Sequence, residues 1–173
     1  LTTSFPVHVG QIPVYHSMLN SGRPYNGEEF SKFKSNYLDI PNEPLFPFGY
    51  GLSYSKIDYS APTVSNTTLQ GGGKIQVSAQ VINSGITETN ETVQLYIRDV
   101  VGSISRPMKE LKGFEKITIK PGESKSVSFT IDESLLKFYN SQHVYASEPG
   151  TFEVFIGPNV RDAKKTMFEL KLD

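Results

Sequence analysis

Lys74-Ile75-Gln76-Val77-Ser78-Ala79-Gln80-Val81 alternates apolar and polar side chains without a break. Successive side chains of an extended strand point to opposite faces, so Ile75, Val77, Ala79 and Val81 share one face and Gln76, Ser78 and Gln80 the other. One buried face and one wet face is the mark of an antiparallel sheet. The alternation returns in Val93, Leu95 and Ile97 against Gln94, Tyr96 and Arg98. It returns again in Val127, Phe129 and Ile131 against Ser126, Ser128 and Thr130. Phe152, Val154 and Ile156, then Thr166, Phe168, Leu170 and Leu172, complete the set.

Turn signals separate these runs. Asn83-Ser84-Gly85, Lys120-Pro121-Gly122-Glu123, Glu148-Pro149-Gly150 and Gly157-Pro158-Asn159 all carry Gly, and two have the Pro-Gly order that suits a type II turn. Asp132-Glu133-Ser134-Leu135-Leu136 reads as one helical turn capped by Asp132. About seven short strands with no Cys…Trp…Cys pattern predict a mainly β fold, a fibronectin type III-like (immunoglobulin-like) antiparallel β-sandwich over residues 55–173.

Upstream the pattern fails. Six of the eleven prolines fall in residues 1–54, with ten aromatic residues and no long periodic run. Val7-His8-Val9 and Gln11-Ile12-Pro13-Val14-Tyr15 are short strand-like pieces, and Asn20-Ser21-Gly22-Arg23-Pro24 is turn chemistry. Asn26 and Glu29 suit the N-cap and N3 of a short helix, with Phe30, Phe33 and Tyr37 on one face. Pro-Leu-Phe-Pro-Phe-Gly-Tyr-Gly-Leu-Ser-Tyr, residues 44–54, cannot continue a helix or sit in a central strand, yet it is strongly apolar. It reads as a rigid, packed elbow between two bodies, against the plainer alternative of an aromatic-rich loop inside one domain. So few periodic residues enclose little core, and the aromatic side chains of residues 1–54 are expected to pack against something else.

The formal net charge of −1 over 173 residues offers no basic field for nucleic acid or an anionic membrane. No Cys is present, which excludes disulfides and thiolate chemistry. No apolar run approaches the ~20 residues of a membrane-spanning helix. Leu1 is not an initiator Met, and a start within a longer protein is the expectation.

"PLFPFGYGLSYS", preceded by "YLDIPNE", resembles the segment that closes the second domain of family 3 glycoside hydrolases, the β-glucosidase and β-xylosidase type. "FPVHVGQIPVYHSMLNSGRPYN" is similar to the last strand and following loop of their α/β sandwich domain, with Val7 where the usual form has Arg. "ETVQLYIRDVVGSISRPMKELKGFEKITIKPGESKSVSFTI" resembles the core of their C-terminal fibronectin-like domain, and "EPGTFEVFIGPNVRD" its closing block. The family often has Trp near Tyr145, which implies a packing role there. The resemblance implies that residues 1–54 are the C-terminal tail of the α/β sandwich domain plus the elbow, that residues 55–173 are the fibronectin-like domain, and that the upstream catalytic domains are the partners. It also implies that the nucleophilic Asp and the acid/base Glu both lie upstream of Leu1. A periplasmic or secreted location is expected.

Glycoside hydrolysis needs two carboxyl groups flanking one bond. Asp39 with Glu43, and Glu28 with Glu29, are the clustered carboxylates near aromatic residues, and their Pro-broken setting favours solvated loop acids or caps. His8, His16 and His143 lack metal-ligand spacing. Gly71-Gly72-Gly73 lacks the Lys-Ser/Thr of a phosphate loop and reads as a turn before a strand. Asn66-Thr67-Thr68 and Asn90-Glu91-Thr92 fit the N-glycosylation pattern, which matters only in a eukaryotic secretory host. Arg106, Lys109 and Lys112 around Glu110 form either a ligand patch or, the favoured reading, a protected sheet edge or interdomain contact. Tyr96 and Phe155 point away from their strands' cores and are expected to be exposed, to stack on sugar rings or to dock on the neighbouring domain. Docking is favoured. The expectation is a structural piece with no catalytic, cofactor-binding or metal-ligating residue, no cofactor, and no nucleic-acid or membrane partner. The rival is a stand-alone carbohydrate-binding or adhesion module, which requires an exposed aromatic row on one sheet.

Overall fold

A computed structural model describes residues 1–19 and 36–172. Lys74–Asn83 forms strand β4, and its side chains alternate between buried and outward positions as period two requires. It pairs antiparallel with β7 (Ser124–Asp132), setting Ile75 opposite Ile131, Val77 opposite Phe129 and Ala79 opposite Val127. Two short strands, β1 (Ile57–Tyr59) and β2 (Thr63–Val64), pair with the other edge of β4 and complete this sheet.

The facing sheet has five strands in the order β3 (Thr68–Gln70), β11 (Lys164–Lys171), β10 (Gly150–Gly157), β5 (Thr89–Asp99) and β6 (Glu110–Ile119). Its pairs are antiparallel except β3 with β11. Between the sheets lie Val93, Leu95, Ile97, Phe152, Val154, Ile156, Phe168 and Leu170, packed on Val77, Val81, Val127 and Ile131 of the other sheet. Phe152 and Phe168 stack with centroids 5.5 Å apart. This is the expected antiparallel β-sandwich.

Asn83, fully buried at the end of β4, knits the sandwich to the chain entering it. Its amide donates to Thr87 O (2.8 Å) and Ile119 O (3.0 Å), and its oxygen accepts from Ser55 Oγ (2.5 Å) and Gly85 N (3.0 Å). Ser53 Oγ lies 2.7 Å from Thr89 Oγ1 beside it. A Cβ on Gly85 would collide with Ser55, so this approach requires glycine.

Several local expectations are corrected. Val9–Gln11 is a 3-10 turn, not strand, because His8 Nδ1 accepts from Gly10 N at 3.2 Å and closes the turn. Gly122 has the φ of +72° that a type II turn needs, but Gly150 sits at φ +156° and opens β10. Glu133–Leu136 is the expected helical turn, in 3-10 form, with Asp132 Oδ1 accepting from Ser134 N. The helix expected from Asn26 lies outside the described residues. Tyr145 is not a packing position: it sits on the two-stranded ribbon β8 (Phe138–Tyr139) and β9 (Tyr145–Ala146) and is 55% exposed.

Candidate docking surface

The outer face of the five-stranded sheet is where the elbow lands. Tyr96 alternates outward from β5, yet its exposure is 0%, and Gln94 and Phe155 beside it are also buried. The expectation that Tyr96 and Phe155 are exposed is therefore wrong: a cover made of residues 1–19 and 36–54 lies on Tyr96, and Lys109 lies over Phe155. Phe48 meets Tyr96 edge-on, and His16 stacks on Phe48 with centroids 4.0 Å apart. Burial holds the His16 imidazole below its ordinary pKa, with Glu110 pulling the other way.

Gln94 is the polar centre of this contact. Its amide donates to Gly49 O (3.2 Å) and Pro158 O (2.5 Å), while its oxygen accepts from Tyr96 Oη (2.5 Å). Burial pushes the Tyr96 phenol well above its ordinary value, so it stays a donor. Gly49 has φ +82°, and a Cβ there would strike the Gln94 amide. Val160 N donates to Phe48 O at 3.1 Å, which fastens the same elbow to the loop after β10.

The cover is itself braced. Phe5 and Phe46 form a small antiparallel bridge, and the Phe46 ring leans on Tyr50 at 5.0 Å. Gln11, almost fully buried, accepts from Val7 N and donates to Pro41 O and Glu43 O. At the far end Leu19 bridges to Pro107, and Met108 N donates to Met18 O at 2.9 Å.

The basic cluster at residues 106–112 faces inward. Arg106 lies over the Phe138 ring at 4.2 Å and pairs with Glu110 at 2.9 Å, and Lys112 reaches the same carboxylate at 3.4 Å. Lys109 sits over Phe155 at 4.3 Å and donates to Val160 O at 2.6 Å. Burial lowers the Lys109 pKa against the pull of Glu153, Asp162 and Glu43. β6 is an outermost strand of its sheet, so the edge reading fits these side chains and the ligand-patch reading does not.

Asp39 and Glu43 are both exposed on the cover, and Glu28 and Glu29 lie outside the described residues. His8 closes a turn, His16 lies in the stack, and His143 sits at φ 61° at the tip of the β8–β9 ribbon, so the three do not converge. Among the described residues no group of three His, Cys, Asp or Glu is placed to hold a metal ion. The glycine triplet is a turn between β3 and β4 whose Gly72 N donates to Glu133 Oε2, a carboxylate of the chain itself. Asn66 Oδ1 accepts from Thr68 N in an exposed loop, whereas Asn90 lies within β5 and accepts from Thr118 Oγ1. No helix of the described residues is long and apolar enough to cross a membrane.

The arrangement is one of docking. Sequence reasoning missed Gln94, which period two assigns to a wet face; only its position beside Tyr96 hinted that this face is covered.

The model of the fibronectin type III-like domain matches residues 91–160. A periplasmic β-glucosidase of Salmonella typhimurium is 54% identical over 98% of this chain, which spans 22% of that protein. A putative β-xylosidase of Formosa agariphila is 44% identical over 99% of the chain and 21% of its own length. Among solved structures, β-glucosidase from Listeria innocua in complex with glucose superimposes with a TM-score of 0.91 at 41% identity, over 98% of this chain and 24% of that one. The chain belongs to the family 3 glycoside hydrolases, as the C-terminal part that carries their fibronectin type III-like domain. It spans about a fifth of the length of the relatives it matches.

Proposed function

We propose that the whole protein hydrolyses terminal β-linked glucose or xylose with retention, and that this C-terminal part buttresses its catalytic domains. Residues 1–54 are the tail of an α/β sandwich domain with its elbow, and residues 55–173 are the fibronectin type III-like domain fastened to it. The upstream catalytic domains are the partners. They supply the nucleophile and the acid/base carboxyl, while this piece supplies neither and binds no cofactor or metal. The location is periplasmic or secreted.

One observation carries this reading: the cover over Tyr96 leaves much of its own apolar surface exposed. Val9, Ile12, Tyr15, Met18, Leu38 and Leu45 all belong to it and are all exposed. Such a density of exposed apolar side chains in one short region is the mark of an interaction face. The rival module needs an exposed aromatic row on a sheet. The outer face of β4 and β7 instead carries Gln76, Ser78, Gln80, Ser126, Ser128 and Thr130, and the facing sheet's Tyr96 and Phe155 are covered.

The test is kinetic. The full-length protein should hydrolyse aryl β-glucosides or β-xylosides with retention, and the 173-residue chain should not exceed the buffer rate. Turnover by the chain alone that vanishes on Asp39→Asn or Glu43→Gln substitution would overturn the assignment.

A further inference from the structure

The β8–β9 ribbon carries a feature that buttressing does not use. Tyr139 and Tyr145 are directly opposite each other in its register, their ring centroids 5.1 Å apart. They are 66% and 55% exposed. A cross-strand aromatic pair steadies a hairpin, which does not require two rings in open solvent.

The ribbon is firmly held. Phe138 is buried beneath the Arg106 guanidinium, and Ser141 N donates to Ser103 Oγ. At the tip, Asn140 Oδ1 accepts from both Gln142 N and Val144 N at 3.0 Å. The two rings are thus presented at a fixed angle, with little conformational freedom to lose on binding.

The surroundings select the ligand. Residues 138–146 contain no Asp, Glu, Lys or Arg, and neither do residues 100–105, the adjoining loop joined to them through Ser103 and Ser141. Of the flanking charges, Arg106 faces Phe138 and Glu110, Glu148 accepts from Ser103 N, and Lys137 acts on Glu133. What remains is two aromatic faces edged by the amides of Asn140 and Gln142 and the hydroxyls of Ser103 and Ser141. Aromatic faces take the C–H faces of a pyranose, and neutral amides and hydroxyls meet its hydroxyl groups.

We propose that Tyr139 and Tyr145 form an accessory site for a neutral β-linked glycan chain. The choice of a β-linked glycan rests on the proposed activity of the whole protein; the site itself rests on the ribbon's geometry.

Native affinity electrophoresis of the full-length protein through gels containing mixed-linkage β-glucan, arabinoxylan or dextran tests this. Wild-type protein should be retarded by a β-linked polymer and not by dextran. The Tyr139→Ala/Tyr145→Ala double variant should lose about tenfold in affinity, while Tyr139→Phe/Tyr145→Phe, which keeps both rings, should bind as wild type. Thermal midpoints matched between the variants separate lost binding from lost folding. Absence of retardation, equal retardation of the Ala variant, or equal retardation by dextran overturns the proposal. Aryl-glycoside turnover measured on the same samples reports separately on the proposed activity: an inactive protein still retarded through its tyrosines refutes that activity and leaves the accessory site standing.

Discussion

Phe48 of the elbow and Tyr96 of β5 meet edge to face, ring centroids 6.5 Å apart and planes at 82°. The contact joins a Pro- and Gly-rich segment to the outer side of a sheet whose inner side already faces the core. It converts a half-wet strand into one buried on both faces over residues 93–97.

Replacing Phe48 by Ala should therefore loosen the cover before the sandwich. The ring is half-buried, so the expected loss is about 2 kcal/mol, roughly half the cost of truncating a fully buried Phe. Matched denaturant melts of wild type and variant measure it. Equal midpoints would reduce the elbow to a linker.

Gln94→Leu should cost more than its change in volume suggests. It leaves Gly49 O, Pro158 O and the Tyr96 hydroxyl without their partner, and each buried orphan costs about 1–3 kcal/mol. Adding Tyr96→Phe should restore part of the loss, since the hydroxyl then needs no acceptor. A double-mutant cycle reads the coupling, and strict additivity would contradict this network.

Gly49→Ala tests the same junction from the other side. It meets both an unfavourable φ and the Gln94 amide, so it should destabilise the chain, whereas Gly51→Ala, whose Cβ would meet open space, should be nearly neutral. Thermal midpoints of the two variants make the comparison.

The docked cover should weaken in mild acid. Burial lowers the His16 pKa in the folded state, and Glu110, itself paired with Arg106 and Lys112, opposes this only in part. A depressed histidine takes its proton more readily when undocked, so its contribution is whole above the ordinary histidine value, about 6.5, and is lost as pH falls from there through the lowered one. Stability measured against pH should show this loss in wild type and a smaller one in His16→Gln. Parallel curves would remove His16 as the cause.

Amide exchange should rank the regions. In the 173-residue chain, residues 75–81, 93–97 and 152–156 should exchange slowest, and the amides of residues 1–19 and 36–45 faster, because the cover closes over one face only. Uniform protection would mean that the cover folds on its own.

The strands that the sequence makes plain are those with one dry and one wet face. β4 and β7 alternate cleanly because the outer side of their sheet carries Gln, Ser and Thr between the core positions from Ile75 to Val81 and from Val127 to Ile131. β6 escapes the same reading: as an edge strand bearing Lys112, Glu115 and Lys116, with a register shift opposite Leu95 and Tyr96, it has no strict inner face to repeat. β1, β2 and β3 span two or three residues each, too short for any period to show. The resemblance of the 44–54 segment located the docking contact, but its partner Gln94 was invisible because burial of the second face comes from residues more than forty positions upstream. Tyr145 failed in the opposite sense: an aromatic residue near a position the family fills with Trp promised packing, and the ribbon instead holds it out to solvent.

The tie between Ser55 and Asn83 bears on more than the entry into β1. Gly49 is fixed to Gln94, Ser53 to Thr89 and Ser55 to Asn83, so the run between residues 49 and 55 has anchors at both ends and one between. It acts as a gusset rather than a tether. A torque applied to the elbow is delivered to β4 and β5 without slack. The side chains of Leu52 and Tyr54, which stand free between the anchors, can vary at small cost. The number of residues cannot: one insertion there would pull at least one anchor from its seat.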